Sequence, residues 1–380
     1  MPRDFQTLEL FAPKLPNLGT FFHKTSKLWN FSAASVRPVA GVRCSSGRAG
    51  SALVVALWVL MILSLMVGGL AFNMQVEAAI SSQFRKRLAA EYLARGGVEL
   101  ARYILAHLRD VSKEEEFPEG ENGDLMMAAL HISRGIGVSG LERKLGRGKV
   151  VLDIVPEEGR RNVNLLTDED WEEILDQSNV PEDKWDELID CFRDWVDPNE
   201  EHRLNGAESD DPFYRDRGYE CKNAPLDTVD ELLLIKGFTP QIVYGGPSEV
   251  EGEPPYLGIA RWLTVWGDGR VNVNTASREV LLTIPEIDEF AVDAIIEGRK
   301  GPDGEAGTRD DGFTSVDEVI AAAGLSREVA HRITVSSYKY LRVVSTGQVG
   351  DLAVIVWCVL EYQGDKVRVV FWREDTASKT

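Results

Sequence analysis

Histidine and cysteine are scarce in this sequence, so few residues are available for most catalytic and metal centres. The 380 residues include five His and four Cys. The cysteines form no CxxC pair and no His lies at zinc-ligand spacing, so we do not expect a zinc site. No HExxH array, Gly-framed Ser beside a His, or phosphate-binding glycine loop occurs. The sequence therefore does not predict an enzyme.

Charge is absent from Ser51 to Val76, where the sequence reads SALVVALWVLMILSLMVGGLAFNMQV. About 22 mainly apolar residues would form a helix of roughly 33 Å, enough to cross a bilayer core of about 30 Å. The run is too long for the apolar region of a secretory signal, and no A-x-A cleavage site follows it. Basic residues precede the run, so the positive-inside rule predicts a single pass with a cytoplasmic N-terminus and a translocated body.

The charge that is present is unevenly distributed. The formal net charge is −19, but residues 1–50 hold seven Lys/Arg and two Asp/Glu, which leaves 35 bases, 59 acids and a net charge of −24 on residues 51–380. A body of this charge repels nucleic acid and anionic head groups, and it could suit divalent cations.

The pattern of apolar residues predicts an α+β fold. One helix from about 52 to 109 is expected because no Pro interrupts it, and Ile80, Phe84, Leu88 and Tyr92 recur on one face. Residues 111–124 suggest a loop and 149–155 a strand. Two N-V-N turns, at 161–164 and 270–274, each lead into a helix and suggest a weak internal repeat. Val, Ile and Tyr/Trp-rich segments near the C-terminus predict an antiparallel meander.

Four motifs together resemble the minor pseudopilin K family of type II secretion systems, whose members are type IV pilin-like proteins. They are Arg48-Ala49-Gly50 before the apolar run, EYLARGGVELA at 91–101, DWVDPN at 194–199 with Gly-Ala-Glu at 206–208, and VNVNTAS at 271–277. The resemblance implies cleavage by prepilin peptidase between Gly50 and Ser51, methylation of the new N-terminus, and a place at the tip of a periplasmic pseudopilus anchored in the bacterial inner membrane. It implies the I and J minor pseudopilins and other pseudopilins as partners, besides membrane lipid.

The resemblance and the patterns together give the expected domains. They are a prepilin-type leader (1–50), a transmembrane helix (51–76), a pilin-like stem helix and first strand (77–160), an inserted α-helical domain (161–335), a closing antiparallel sheet (336–374) and a flexible tail (375–380). The leader is unusually long; a mis-assigned start codon or a real cytoplasmic extension would each explain it.

The family resemblance also implies that calcium binds in the acidic loop. Counted from Asp197, the oxygen-bearing residues Asn199, Glu201, Asn205 and Glu208 approach the ligand spacing of an EF-hand, although His202 replaces the required Gly. Asp197 and Glu208 are the first candidate ligands and Asn199 the next. The remaining candidate ligands are Asp194, Glu201, Asp210 and Asp211. Cys191 and Cys221 flank this loop and would form either a disulfide or two separate buried thiols.

One segment of the sequence suggests an alternative function. The segment 271–300 resembles the helix-hairpin-helix of DNA-uptake proteins, but its hairpin carries Glu286 and Asp288 where phosphate-binding glycines would lie. The alternative function is therefore a membrane-anchored DNA-uptake protein. The preferred one is a non-catalytic minor pseudopilin that helps to initiate and cap the pseudopilus and so supports protein export, without binding nucleic acid.

Overall fold

The computed structural model describes residues 49–108, 120–248, 252–336, 338–364 and 366–376. Contacts divide the chain into two units, residues 1–73 and 74–380. The described part of the first unit is helical, and its apolar side chains from Leu53 to Phe72 are exposed. Helix α1 (Ala49–Ala106) continues into the second unit, which confirms the long helix predicted from the sequence.

The second unit contains the remaining helices and strands. The helices are α2 (Glu121–Ser133), α3 (Asp168–Gln177), α4 (Trp185–Val196), α5 (Pro212–Arg217), α6 (Pro240–Tyr244), α7 (Arg278–Leu282), α8 (Glu289–Gly298) and α9 (Val316–Ala323). The strands are β1 (Val138–Leu145), β2 (Gly148–Pro156), β3 (Arg161–Asn162), β4 (Leu263–Thr264), β5 (Val271–Asn272), β6 (Ile333–Thr334), β7 (Tyr340–Val349), β8 (Leu352–Tyr362) and β9 (Val367–Thr376). Short 3₁₀ segments include Glu157–Gly159 and Val229–Leu234.

Five of the strands form one antiparallel sheet in the order β1-β2-β7-β8-β9. Strands β2 and β7 are neighbours, with Pro156 paired to Leu341, although about 185 residues separate these partners in sequence. The helical residues in between are therefore an insertion between adjacent strands. The predicted α+β fold, in which a long helix packs on an antiparallel sheet with a helical insert, is confirmed.

The stem packs on the sheet through its smallest residues. Ala90, Ala94 and Ala101 are fully buried, and Gly97 and Gly347 lie where helix and strand approach most closely. A Cβ added to Gly97 would lie 2.0 Å from the Ser345 hydroxyl oxygen. Small residues at helical spacing thus let the backbone of α1 lie directly against β7, which gives the EYLARGGVELA motif a packing role.

The predicted apolar stripe of the stem lies on a different face. Ile80, Phe84, Leu88 and Tyr92 are exposed, between 51% and 68%. A four-residue period drifts around an α-helix, and the alanine and glycine side chains that contact the sheet carry a weaker hydrophobic signal.

The helical module has a core of its own. It is built around Trp171, Phe192, Trp195 and Tyr214, and it is separate from the core between stem and sheet. The buried carboxylate of Glu157 joins the two parts at the module's entrance: it accepts hydrogen bonds from Thr264 Oγ1 of the module (2.7 Å) and Arg342 Nε of the sheet (2.6 Å). Burial of this carboxylate is tolerated because both oxygens are paired.

The two N-V-N turns make matching contacts. Asn164 accepts a hydrogen bond from the Leu226 amide (2.8 Å) and donates one to its carbonyl (3.0 Å). Asn274 does the same with Phe313, at 2.9 and 3.0 Å. Each N-V-N strand also forms a two-residue parallel pair, β3 with β4 and β5 with β6. The repeat suggested by the sequence therefore extends through both halves of the module.

Three boundaries differ from the sequence expectations. Helix α2 begins at Glu121, inside the segment 111–124 expected to be a loop, of which 111–119 lie outside the described residues. Strand β1 was not predicted, because half of its residues, VSGLERKL, are polar and it lies at an exposed sheet edge. Strand β9 runs to Thr376, so part of the predicted tail, 375–376, belongs to the closing sheet.

Candidate cation-binding loop

The loop that follows α4 lies next to buried side chains of the module core. Leu188, Cys191, Phe192 and Trp195 form the buried face of α4, and Asp194 beside them is also fully buried. The Arg203 amide donates to both carboxylate oxygens of Asp194, at 3.2 and 3.3 Å. The loop backbone therefore folds over a buried carboxylate.

Gly206 makes that close approach possible. A Cβ at this position would lie 2.0 Å from Asp194 Oδ2. Any side chain here would displace either the loop or the carboxylate, which explains why the Gly-Ala-Glu segment begins with glycine.

Glu208 is the most unusual residue of the loop. It is fully buried, and neither carboxylate oxygen has a hydrogen-bond partner among the described residues. Burial, followed by the charges of Asp194, Glu200 and Asp197, raises the pKa of Glu208 to about 7. A buried carboxylate without a partner is costly unless it is protonated or binds a cation.

The pKa of Asp194 is raised, as is that of Glu208. Burial and the neighbouring charge of Asp197 raise its pKa, against the hydrogen bond from the Arg203 amide. Two buried carboxyl groups that both resist ionisation create a local demand for positive charge.

Asn223, which the sequence did not single out, also contacts the acidic loop. Asn223 donates from Nδ2 to Glu200 Oε1 (2.8 Å), and its own Oδ1 is buried without a hydrogen-bond partner among the described residues. Its backbone amide is fixed by the Trp195 carbonyl (2.9 Å), and its φ is +48°, a conformation that Asn tolerates. The unused carbonyl oxygen of Asn223 is a neutral oxygen ligand beside Glu200, one of the carboxylates whose charge acts on Glu208.

The other predicted ligands are arranged differently. Asp197 Oδ1 accepts from the amide and side chain of Asn199 (3.1 and 2.6 Å), and Asn199 Oδ1 accepts from the Glu201 amide (2.7 Å). These residues form consecutive turns on the exposed surface. Asn205 is tied to Asp190 through its amide, 3.0 Å from Asp190 Oδ2.

Asp210 and Asp211 have other partners. Asp210 is exposed and pairs with His202 Nε2 at 2.7 Å. Asp211 begins helix α5, where its Oδ1 accepts from the Phe213 amide (2.7 Å) and its Oδ2 contacts Lys236 Nζ (3.0 Å). Burial alone would raise the pKa of Asp211, but these two contacts hold it below its usual range.

The predicted ligands therefore do not all converge. Within the described parts of the chain, no three His, Cys, Asp or Glu side chains lie close enough together to hold a metal ion. The chemistry of the donor set still fits a hard cation, because Glu208 and Asn223 offer buried oxygens with no other partner.

Cys191 and Cys221 are free, buried thiols in the structure, and whether they form a disulfide stays a prediction for thiol counting. Cys191 Sγ lies 3.6 Å from the Asn205 carbonyl and Cys221 Sγ 3.6 Å from the Ala207 carbonyl. Burial raises the pKa of both thiols to about 12. They support the loop from the core side as neutral groups.

The predicted processing site lies at the first turn of α1. Gly50 and Ser51 are helical, and the preceding leader residues 1–48 lie outside the described residues. Helix α1 is the one described helix that is long and apolar enough to cross a membrane.

The helix-hairpin-helix-like segment forms α7, a hairpin and α8. In the hairpin, Glu286 adopts φ +72° and accepts a hydrogen bond from Ser326 Oγ (2.8 Å). The hairpin thus presents a carboxylate at its turn, which disfavours phosphate.

A long N-terminal helix packed along an antiparallel sheet, with a helical module inserted between two adjacent strands, defines a pilin-like α+β protein. Residues 153–244 match the family model of type II secretion system (T2SS) protein K. The type II secretion system protein K of Pseudomonas aeruginosa (strain PAO1) is 24% identical over 342 residues, which cover 85% of this chain and 92% of that protein.

The fold is also found in a solved complex. One chain of the crystal structure of the GspK-GspI-GspJ complex from the enterotoxigenic Escherichia coli Type 2 Secretion System matches with a TM-score of 0.53. The match has 14% sequence identity and covers 79% of this chain and all of that one. The predicted resemblance to the protein K family of type II secretion systems is therefore confirmed.

Proposed function

We propose that this chain is a non-catalytic minor pseudopilin that helps to initiate and cap the type II secretion pseudopilus and so supports protein export. The observation that carries the proposal is the combination of a pilin-like stem and sheet with a helical module that matches protein K. A fold with one apolar helix suits anchoring in the bacterial inner membrane, with residues after 77 in the periplasm.

Its expected partners are the I and J minor pseudopilins, since a solved structure that shares this fold is a complex named GspK-GspI-GspJ. A position at the tip is favoured by Val55. Most pilin-like proteins have Glu at this position, five residues after the predicted cut, where it neutralises a neighbour's terminal amine. A carboxylate without such a neighbour would be costly in the membrane.

Co-purification tests this function. The full chain, tagged at its C-terminus, is co-expressed with the I and J pseudopilins of the same organism and extracted in mild detergent. We expect both partners to be recovered with it. The control bait keeps residues 51–76 but carries an unrelated periplasmic body, so that association through the anchor alone is measured. Equal recovery with both baits, or recovery of neither partner, contradicts the proposal.

We also propose that the loop after α4 binds calcium as a structural ion, with Glu208 and Asp194 as its central carboxylates. Asp197, Glu200 and the Asn223 side-chain oxygen are the next groups able to contribute. Calcium takes six to eight oxygen ligands, and binding would neutralise the buried charges and order the loop. The support is the absence of any hydrogen-bond partner for the buried Glu208 oxygens among the described residues.

A further inference from the structure

The sheet has a basic end, in contrast to the acidic body. Lys144, Arg147 and Lys149 of the β1–β2 hairpin lie at this end, and the segment of α1 that contacts the β7–β8 turn adds the consecutive bases Arg85, Lys86 and Arg87. Lys86 Nζ lies 3.2 Å from Asp351 in the β7–β8 turn, which ties the stem to this end of the sheet. A groove of about 290 Å³ lies between the two turns and is lined by Lys144, Arg147, Lys149, Glu142, Gln348 and Gly350.

Most of this charge is available for binding. Lys149 pairs with Glu142 at 2.9 Å and Lys86 with Asp351. The other four bases are exposed and have no ion-pair partner in the part of the chain that the structure describes: Arg85, Arg87, Lys144 and Arg147. The basic end thus has a local excess of four positive charges, whereas residues 51–380 as a whole carry −24.

An apolar side chain lies at the tip of the same hairpin. Leu145, between Lys144 and the Gly146-Arg147 turn, is 42% exposed. On the stem, Phe84 beside Arg85 is 68% exposed. Exposed apolar residues flanked by bases are typical of protein surfaces that contact membrane interfaces.

The bases that α1 contributes to the basic end follow the uncharged run closely in sequence. Lys86 follows Val76, the last residue of that run, by ten residues of continuous helix, or about 15 Å. The head-group layer occupies about 5–7 Å of this distance, and the Debye length at physiological ionic strength is about 8 Å.

We propose that the basic end binds anionic phospholipid head groups of the membrane in which residues 51–76 are anchored. Phosphate groups enter between Lys144, Arg147 and the bases of α1, and Leu145 lies against the interface. This contact would hold the body close to the membrane and fix its rotation about the stem before assembly. The proposal depends on the membrane anchor and not on the partners proposed above.

The experiment places a photocrosslinking amino acid at Leu145 of the full chain, so that the native cysteines are left unchanged. The protein is reconstituted into vesicles of pure phosphatidylcholine or of phosphatidylcholine with 30% phosphatidylglycerol, and lipid adducts are counted by mass spectrometry. A matched probe at Phe290, which is 85% exposed in the helical module, reports background labelling.

Near an anionic surface each Lys or Arg strengthens association by about fivefold. We therefore expect lipid adducts at Leu145, and not at Phe290, to increase with phosphatidylglycerol and to fall in 0.5 M salt. The double change Lys144→Gln, Arg147→Gln should lower the adduct yield on anionic vesicles by at least about fivefold. The control pair Arg215→Gln, Arg327→Gln, which removes two exposed cations of the module, should leave it unchanged.

Equal labelling of Leu145 on both kinds of vesicle, or an equal loss with both double variants, would overturn the proposal. So would labelling in native membranes that yields only adducts with an acidic protein, because the basic end would then be a protein-binding surface. Co-purification with the I and J pseudopilins could fail while the lipid adducts persist, so the two proposals can be told apart.

Discussion

Replacing Glu208 by Gln should make the protein more stable without calcium and insensitive to it. Both oxygens of Glu208 are buried without a hydrogen-bond partner among the described residues, and its pKa is raised to about 7. Because the folded-state pKa lies above the unfolded value of about 4.3, the penalty is absent below that pH and fully present above about pH 7. The calcium-free wild type should therefore lose stability as the pH rises from about 4.5 to 7.

The magnitude follows from the size of the pKa difference. A shift of this size would correspond to about 3.5 kcal/mol at most, and screening through the exposed loop reduces the expected penalty to about 1–2 kcal/mol. Glu208→Gln keeps the shape and removes the charge. For a module of this size, each kcal/mol changes the melting temperature by about 2–4 °C.

The assay is thermal unfolding of the detergent-solubilised full chain, at pH 5 and pH 7.5, with 2 mM calcium or with a chelator. Wild type should gain several degrees from calcium at pH 7.5. Glu208→Gln should melt higher than wild type in the chelator at pH 7.5, show no such difference at pH 5, and gain nothing from calcium. The matched control is Glu305→Gln, an exposed acid in the loop that follows α8.

Three outcomes would refute this reasoning. Calcium could leave the wild-type midpoint unchanged, Glu208→Gln could still respond to calcium, or the variant could melt lower than wild type at pH 7.5 in the chelator. The last result would mean that the carboxylate is stabilised by a contact other than a cation.

Three further predictions concern the stem, the thiols and processing. Gly97→Ala should destabilise the fold by about 1–3 kcal/mol, because the added methyl group would collide with Ser345. The control Gly96→Ala, with no neighbour within 4 Å, should be neutral or stabilising. Equal midpoints of the two variants in chemical denaturation would contradict the stem packing. Thiol counting on the unreduced, denatured protein from residue 51 onward should give three free thiols, whereas one would indicate a Cys191–Cys221 bridge. Mass spectrometry of the protein from its native host should find an N-terminus at Ser51, methylated, and recovery of the uncleaved Met1 form would contradict cleavage after Gly50.

The sequence predicted those parts of the fold whose signals are local and strong. Helix α1 follows from an uninterrupted run without Pro, and β7 to β9 follow from Val, Ile and aromatic residues between glycine turns. Strand β1 was not predicted from the sequence because an edge strand needs few apolar residues. The face of the stem that packs on the sheet was also not predicted. Alanine and glycine form this face because they are small, and a search for large apolar residues does not detect them.

The sequence predicted which residues belong to the candidate site better than it predicted how they are arranged. Asp194 and Glu208 were named from the acidic motif, but their burial depends on α4 and on Gly206. The EF-hand spacing did not describe the loop path, since Asp197 and Asn199 bond to each other. Asn223 was missed because its position beside Glu200 arises from tertiary folding between residues 23 positions apart.

The insertion between β2 and β7 has a consequence for the order in which the chain folds. Pairing Pro156 with Leu341 closes a loop of about 185 residues, which costs an unfolded chain about 4–5 kcal/mol in closure entropy. In a folded module Glu157 is already bonded to Thr264. The loop that must close when β7 pairs with β2 is therefore effectively shorter than about 185 residues. We therefore expect the module to fold first and the sheet to close last, after the C-terminal strands have crossed the membrane. Until then β2 would retain an unpaired edge, and the stem would lack most of the surface on which Ala94 and Gly97 pack.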